Sequence, residues 1–150
     1  MFSGSLPSCL WQPKSSTNSR PIKSLLLGKN RFSGSLPNET NLPNLVDLFL
    51  QSNNFSGSIP QSFLKSMTSL QYVDLSYNSF SLSTVPDLDN LKNLSYIEFS
   101  NCNLTGPLPE LYEKQSLIQF SASNNRLSST LPSSFSNSTT LQVLSLYNNR

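Results

Sequence analysis

The chain has 150 residues, 36% of them hydrophobic and 12% charged, and a formal net charge of +2. Its length suits one domain of ordinary size, and its low charge and regularly spaced Leu and Phe argue against a disordered chain. No stretch approaches the roughly 18 apolar residues of a membrane span, and the start "MFSGSLPSCLWQPK" lacks the features of a signal peptide. We therefore expect any export signal or membrane anchor to be encoded outside this chain.

A motif recurs every 23 to 25 residues. Six segments match the template L-x-x-L-x-L-x-x-N, and they end at Asn30, Asn53, Asn78, Cys102, Asn125 and Asn149. We expect these six residues to form an inward-facing ladder in which each amide bonds to the backbone of adjacent turns, with Cys102 replacing one Asn. Alternate side chains of a strand face opposite ways, so the pattern predicts these inward apolar pairs: Leu25/Leu27, Leu48/Leu50, Val73/Leu75, Ile97/Phe99, Phe120/Ala122 and Leu144/Leu146.

A second phrase follows the first five segments, at residues 32–37, 55–60, 80–86, 104–109 and 127–132. It reads "FSGSLP" at 32–37 and "FSGSIP" at 55–60, and the chain opens on a further copy at 2–7 without its first half. Two copies depart from the pattern, because "FSLSTVP" has an additional residue and no Gly, and Ser129 replaces the Gly of the fifth unit. We expect those two turns to be less regular.

The combined unit resembles the plant-type leucine-rich repeat, L-x-x-L-x-L-x-x-N-x-L-x-G-x-I-P, over nearly all of the chain. The resemblance implies an α/β fold, a right-handed solenoid with a parallel β-sheet on the concave face and irregular or 3-10 connections on the convex face. We expect residues 1–150 to form one array with a partial N-terminal unit, five full units, a partial C-terminal unit and no caps. Such a chain would be a piece of a longer array.

The two cysteines are not expected to form a disulfide. Cys9 and Cys102 lie in layers about four strand spacings apart, roughly 19 Å, whereas disulfide Cα atoms lie within about 7 Å. We expect both to be buried core thiols. The long polar connection "QPKSSTNSRP" predicts a solvated loop on the convex side, with Lys14 and Arg20 as weaker candidates for ligand contact.

The sequence does not favour an enzyme. The chain contains no His, and it lacks the G-x-G-x-x-G, H-R-D and D-F-G motifs of nucleotide-binding enzymes and kinases. We expect no catalytic residue, no metal and no cofactor. Basic residues are few and scattered, so a nucleic-acid partner is not expected either.

The outward positions of the strands predict a binding face. Acidic and aromatic residues of neighbouring layers fall side by side at Asp47, Phe49, Tyr72, Asp74, Tyr77, Tyr96 and Glu98. Exposed aromatics beside fixed carboxylates suit a peptide or protein that carries Lys or Arg and an apolar anchor. The alternative is that these residues decorate a repeat surface without binding anything strongly.

Five N-x-S/T sequons give candidate glycosylation sites at Asn38, Asn54, Asn93, Asn103 and Asn137. A chain this rich in Asn, Ser and Thr is expected to contain about this number of sequons by chance. In a secreted parent they would carry glycans on a surface that the ligand does not use.

The resemblance implies an extracellular recognition module of a plant receptor-like kinase or receptor-like protein. Its parent would lie in the plasma membrane or be secreted, and its partners would be a peptide or protein ligand and a co-receptor, with no membrane contact by this segment. The alternatives are a secreted inhibitor resembling the polygalacturonase-inhibiting proteins and an incomplete gene product without independent function.

Overall fold

The computed structural model describes residues 1–12, 21–112 and 114–150 of the chain. Residues 13–20 of the predicted polar loop, including Lys14 and Arg20, lie outside the described residues. In chain order the elements are β1 (Ser3–Ser5), α1 (Ser8–Trp11), β2 (Ser24–Leu26), β3 (Arg31–Ser35), β4 (Asp47–Phe49), β5 (Asn54–Gly57), β6 (Tyr72–Asp74), β7 (Ser79–Phe80), β8 (Tyr96–Glu98), β9 (Thr105–Gly106), β10 (Gln119–Ser121), β11 (Arg126–Leu127), α2 (Ser133–Ser136) and β12 (Val143–Ser145).

Six short parallel strands form the concave face, which we call the main sheet, in the order β2, β4, β6, β8, β10 and β12. Leu48 pairs with Val73, and Val73 pairs with Ile97. All three side chains are at most 1% exposed, so the recurring aliphatic residues form one continuous core as predicted. Leu144 is 39% exposed, because no further layer packs against the core beneath β12, the last strand of the main sheet.

The second phrase of each unit forms further parallel strands beside the main sheet. We call β1, β3, β5 and β7 the flank sheet, and β9 and β11 form a separate pair. The chain then crosses the convex side through the single-turn helices α1 and α2 or through turns closed by i to i+3 hydrogen bonds, such as Met67 N–H to Leu64 O at 2.9 Å. The predicted solenoid with irregular, 3-10-like convex connections is therefore confirmed.

The ladder residues join consecutive layers through their side-chain amides. Asn53 Nδ2 donates to Leu27 O at 2.9 Å in the preceding layer and to Leu50 O at 3.1 Å in its own layer. Asn53 Oδ1 accepts the Phe32 N–H at 2.9 Å. Asn53 is only 8% exposed, so these bonds satisfy backbone groups that water barely reaches.

The flank sheet is interrupted between β7 and β9. In the regular layers, the residue four positions after one ladder Asn pairs with the residue two positions after the next ladder Asn. Gly34, which follows Asn30, pairs in this way with Phe55, which follows Asn53. At the interruption the only pairing is an isolated bridge between Ser83 and Leu104, one residue later in the register. The additional residue of "FSLSTVP" therefore forms a bulge, and Leu82 is left 54% exposed.

Cys102 lies at the same interruption. In the other five layers the ladder Asn Oδ1 accepts a backbone N–H of the preceding layer, from Phe2, Phe32, Phe55, Leu104 and Leu127. The Cys102 thiol keeps the donor function of the amide, because it bonds to Leu75 O at 3.2 Å. It offers no oxygen to accept the Phe80 N–H. The replacement of Asn by Cys therefore falls at the same layer as the interruption of the flank sheet.

The glycine of the second phrase occupies a left-handed backbone conformation. Gly34 has a φ of 93° and Gly57 a φ of 73°, which residues with a Cβ rarely adopt. Ser129 holds the equivalent position with a φ of 125°. The irregularity expected at both departures from the repeat is therefore present, as a bulge in one unit and a strained serine in the other.

The expectation for the cysteines holds only in part. Both are unpaired, and Cys102 is fully buried, but Cys9 is exposed and not a core thiol. The reason lies in α1, where Trp11 takes the inward position at 4% exposure and packs edge-on against Phe63 at 5.6 Å between ring centroids. In a single helical turn the inward position of Trp11 leaves Cys9 facing solvent.

Candidate functional site

Six of the seven predicted binding residues lie on three adjacent strands of the main sheet, and Tyr77 follows β6. Tyr72 pairs with Asp47 on one side and with Tyr96 on the other. Asp74 likewise lies between Phe49 and Glu98. Each of these strands has one buried residue between two half-buried ones, so the residues named here all point to the concave side. The two columns therefore form one surface whose geometry is set by the sheet.

Two tyrosines form the aromatic part of this surface. The rings of Tyr72 and Tyr96 stack with 5.1 Å between centroids and 12° between planes. Directly paired residues on neighbouring strands lie about 4.8 Å apart, so the sheet spacing itself imposes a stacked arrangement. Both side chains remain half-buried, and the stack offers a rigid apolar edge to a partner.

Two carboxylates form the acidic part. Asp74 Oδ1 accepts hydrogen bonds from the backbone N–H of Ser76, at 2.9 Å, and from the Ser76 hydroxyl. Glu98 Oε1 accepts the Ser100 N–H at 3.2 Å, and Glu98 Oε2 accepts from Gln119 Nε2 at 3.5 Å. Both acidic side chains are thus held in place by neighbours and still reach the concave side.

Burial raises the pKa of Asp74 above its ordinary value of 3.8, and the two hydrogen bonds from Ser76 oppose that rise. The neighbouring carboxylate of Glu98 raises the same pKa further. A cation placed between the two carboxylates would offset both the repulsion and part of the desolvation. The electrostatics of the pair therefore favour a positively charged partner.

The buried thiol of Cys102 belongs to the same neighbourhood. Burial raises its pKa, and the nearby carboxylates of Asp74 and Glu98 raise it further. The thiol is therefore protonated at neutral pH and has the character of a core residue, not of a nucleophile.

The remaining predicted residues lie at the borders of the surface. Asp47 accepts a short hydrogen bond from the Ser24 hydroxyl, so its carboxylate already has a partner. Phe49 is half-buried beside Asp74. Tyr77 is 58% exposed and belongs to a different column, where its φ of 54° turns the chain out of the strand.

A groove of about 430 Å³ runs across the layers beside these residues, and Asp74, Tyr77 and Glu98 line it. Tyr72 and Tyr96 are not among its lining residues. The other eight lining residues were not selected from the sequence, and they include Lys29, Gln51 and Tyr147. The repeat pattern predicts that these residues point outward. It does not predict how deep the groove is at each position, because that depth depends on side-chain packing. The groove therefore extends further along the solenoid axis than the acidic and aromatic patch.

The sequons differ in exposure. Asn38, Asn54, Asn93 and Asn137 are exposed, whereas Asn103 is half-buried and its Nδ2 donates to Phe80 O at 3.1 Å. None of the five lies in the three strands that carry the acidic and aromatic residues.

Within residues 1–12, 21–112 and 114–150, no group of three or more His, Cys, Asp or Glu side chains could hold a metal ion. Over the same residues, no helix is long and apolar enough to cross a membrane.

Two family models match the chain. Both describe leucine-rich repeats, one over residues 43–104 and the other over residues 116–138, and together they cover more than half of the chain.

Similar proteins include plant receptors. Receptor-like protein 13 of Arabidopsis thaliana is 34% identical over 146 residues, which make up 95% of this chain and 13% of that protein. Receptor-like protein kinase 7 of the same plant is 42% identical over 110 residues, or 72% of this chain and 11% of that protein. The chain therefore spans only a small part of the length of these relatives.

Solved structures with the same fold include two receptor complexes. The crystal structure of PEPR1 with AtPEP1 has a TM-score of 0.86 at 37% identity, over 99% of this chain and 20% of the other. That of the Arabidopsis receptor kinase HAESA with the peptide hormone IDA and the co-receptor SERK1 has a TM-score of 0.85 at 34% identity, over 98% of this chain and 24% of the other.

Proposed function

The chain belongs to the leucine-rich repeat family, and we propose that it is the extracellular recognition segment of a plant receptor-like kinase or receptor-like protein. In this proposal it forms one array that binds a peptide or protein ligand on its concave face, at Asp47, Phe49, Tyr72, Asp74, Tyr77, Tyr96 and Glu98. The array binds its ligand without catalysing a reaction, and a co-receptor is a second partner. The parent protein is anchored in the plasma membrane or secreted.

The observation that carries this proposal is the stacked pair Tyr72 and Tyr96 beside the paired carboxylates Asp74 and Glu98. Aromatic side chains dominate binding energy at protein interfaces, and their stacking here fixes them before a ligand arrives, which lowers the entropic cost of binding. The carboxylates supply charge complementarity for Lys or Arg, and a guanidinium can also stack on a tyrosine ring. A ligand with a basic side chain next to an apolar one fits both halves of the surface.

Two comparisons support the choice of ligand class. HAESA was crystallised with a peptide hormone and PEPR1 with AtPEP1, and both align with almost the whole of this chain. The proposed surface lies on the face that the solenoid leaves uncovered by its own connections. A rigid sheet of this kind suits an extended peptide, because each layer adds one side chain to every column at a regular spacing.

The experiment is a selection of peptides from a displayed random library against the wild-type chain, followed by affinity measurements on synthetic copies of the selected peptides. We expect basic residues beside aromatic or aliphatic ones to be enriched. The double variant Asp74→Asn/Glu98→Gln should bind these peptides roughly tenfold more weakly, because a half-buried charge pair is lost.

The control is the double variant Asp89→Asn/Glu110→Gln, which removes the same charge at exposed positions of the connections. Its affinity should match that of the wild type. Equal weakening in both double variants would mean that overall charge governs binding, and unchanged affinity in Asp74→Asn/Glu98→Gln would remove this surface from the proposal.

A further inference from the structure

A polar recess opens where the flank sheet is interrupted. It has a volume of about 460 Å³, comparable with the groove on the concave face, and its lining residues are Asn78, Ser79, Phe80, Asn101, Asn103, Asn124, Asn125 and Arg126. Five of these eight side chains are carboxamides. The recess lies at the layers where the bulge at Leu82 and the substitution by Cys102 leave the second sheet unpaired.

One buried amide in the recess has hydrogen-bonding capacity to spare. The Nδ2 of Asn101 is buried and has no partner among the described residues. Asn124 Oδ1 accepts from Asn148 Nδ2 at 2.8 Å. Buried polar groups without partners are uncommon in folded proteins, so the Asn101 Nδ2 calls for an explanation such as a ligand or water. Carboxamides both donate and accept, which matches the hydroxyl and acetamide groups of sugars.

Asn103 stands at the wall of this recess and begins the sequon Asn103-Leu104-Thr105. Its φ of 58° places it in the left-handed region, unlike Asn54, the residue after the ladder position in a regular unit, which lies in β5. That conformation turns the Asn103 side chain back toward Phe80 O, to which Nδ2 donates at 3.1 Å. Among the five sequon residues, Asn103 lines this recess of about 460 Å³, and Asn137 lines a smaller one of about 80 Å³.

We propose that Asn103 carries an N-linked glycan whose first sugars pack into this recess and bridge the interruption of the flank sheet. Transfer from a polyprenyl-pyrophosphate-linked oligosaccharide forms a bond between Nδ2 and the sugar C1, breaks the C1–O bond of the donor, and releases the lipid pyrophosphate and one Nδ2 proton. The second Nδ2 hydrogen remains and still donates to Phe80 O. The inference rests on the proposed extracellular location, since that modification occurs in the secretory pathway.

The comparison site is Asn54, whose sequon ends at Ser56. Asn54 is exposed and is not among the residues that line the recess. A glycan on Asn54 would extend into solvent without a fixed protein partner. Comparing the two sites therefore distinguishes a glycan that packs against the protein from a glycan that only increases the size of the molecule.

The test uses the full chain secreted from a plant cell host behind a removable export signal. Mass spectrometry of glycopeptides measures the occupancy of each sequon. Thermal unfolding is then measured after trimming to the first sugar, for wild type, Thr105→Ala, which removes the Asn103 sequon but keeps Asn103, and Ser56→Ala, which removes the Asn54 sequon. The same three proteins from a bacterial host, without glycans, give the effect of each substitution alone.

We expect Asn103 to be occupied, and its glycan to raise the unfolding temperature by roughly 2–4 °C after subtraction of the bacterial values. The Asn54 glycan should raise it by less than about 1 °C. Hydrogen exchange at residues 79–83 should slow only when Asn103 carries its sugar. An unoccupied Asn103, or equal effects at the two sites, would overturn the inference while leaving the peptide selection on the concave face unaffected.

Discussion

The layers of Asn30 and Asn53 differ from the layers of Asn78 and Cys102 in whether the flank sheet continues between them. In the first pair the main sheet and the flank sheet both continue from layer to layer, whereas in the second pair the main sheet continues and the flank sheet stops. Tyr72 still pairs with Tyr96, and Asp74 with Glu98, across the layers where the flank sheet is broken. The concave surface is therefore positioned by the buried aliphatic column beneath it, and it tolerates irregular connections elsewhere in the coil.

The largest expected effect comes from truncating one side chain in each region. Phe55, in the regular flank sheet, is 1% exposed, and Phe55→Ala should lower the free energy of unfolding by about 3–5 kcal/mol, because it leaves a cavity in the core. Leu82, in the bulge, is 54% exposed, and Leu82→Ala should change it by less than about 0.5 kcal/mol. Urea unfolding followed by circular dichroism measures both. Similar values for the two variants would mean that the bulge packs against the core.

A second test transfers the irregular ladder residue into the regular region. Asn53→Cys should lower the free energy of unfolding by about 2 kcal/mol, because the Phe32 N–H loses its acceptor in a nearly buried site. Hydrogen exchange at Phe32 should speed up in the same variant. The reverse change, Cys102→Asn, should change the free energy of unfolding by less, since the bulge has already shifted the strand register at that layer. A greater loss from Cys102→Asn would indicate that the cavity at this layer cannot hold an amide.

A third test concerns the turn conformation of the second phrase. Ser129 has a φ of 125° where regular units have Gly, so Ser129→Gly should raise the free energy of unfolding by about 1 kcal/mol. Gly57→Ser, at a φ of 73°, should lower it by about the same amount. Both are measured by chemical denaturation. Opposite signs are the decisive outcome, because equal signs would show that side-chain contacts outweigh backbone conformation.

The smallest effect depends on pH. The pKa of Asp74 is raised in the folded chain, so the folded state favours the protonated carboxyl and loses stability as the pH rises through that raised pKa. Asp74→Asn should therefore be slightly more stable than the wild type at neutral pH. The gain should shrink as the pH falls and vanish below 3.8, the ordinary value for this carboxyl. Denaturation at several pH values measures it, and a gain independent of pH would exclude titration of Asp74 as its cause.

The sequence by itself determined the periodic part of the protein. A recurring template placed Leu48, Val73 and Ile97 in the core, and the alternation of a strand then put Asp74 and Glu98 together on the outer side. These features depend only on spacing along the chain, because each layer repeats the conformation of the one before. The sequence also indicated which two turns would be irregular, since both lack the Gly that a left-handed conformation favours.

Only the tertiary structure decided the features that depend on how layers meet. The outward position of Cys9 followed from Trp11 filling the space in the core, and the stacking of Tyr72 on Tyr96 followed from the spacing of the strands. The raised pKa of Asp74 follows from burial, which no single layer determines. The recess beside Asn103 lies between layers where the flank sheet is interrupted, and residues from three layers line it. Repetition along the chain fixes each layer, whereas contacts between unlike layers exist only in the folded molecule.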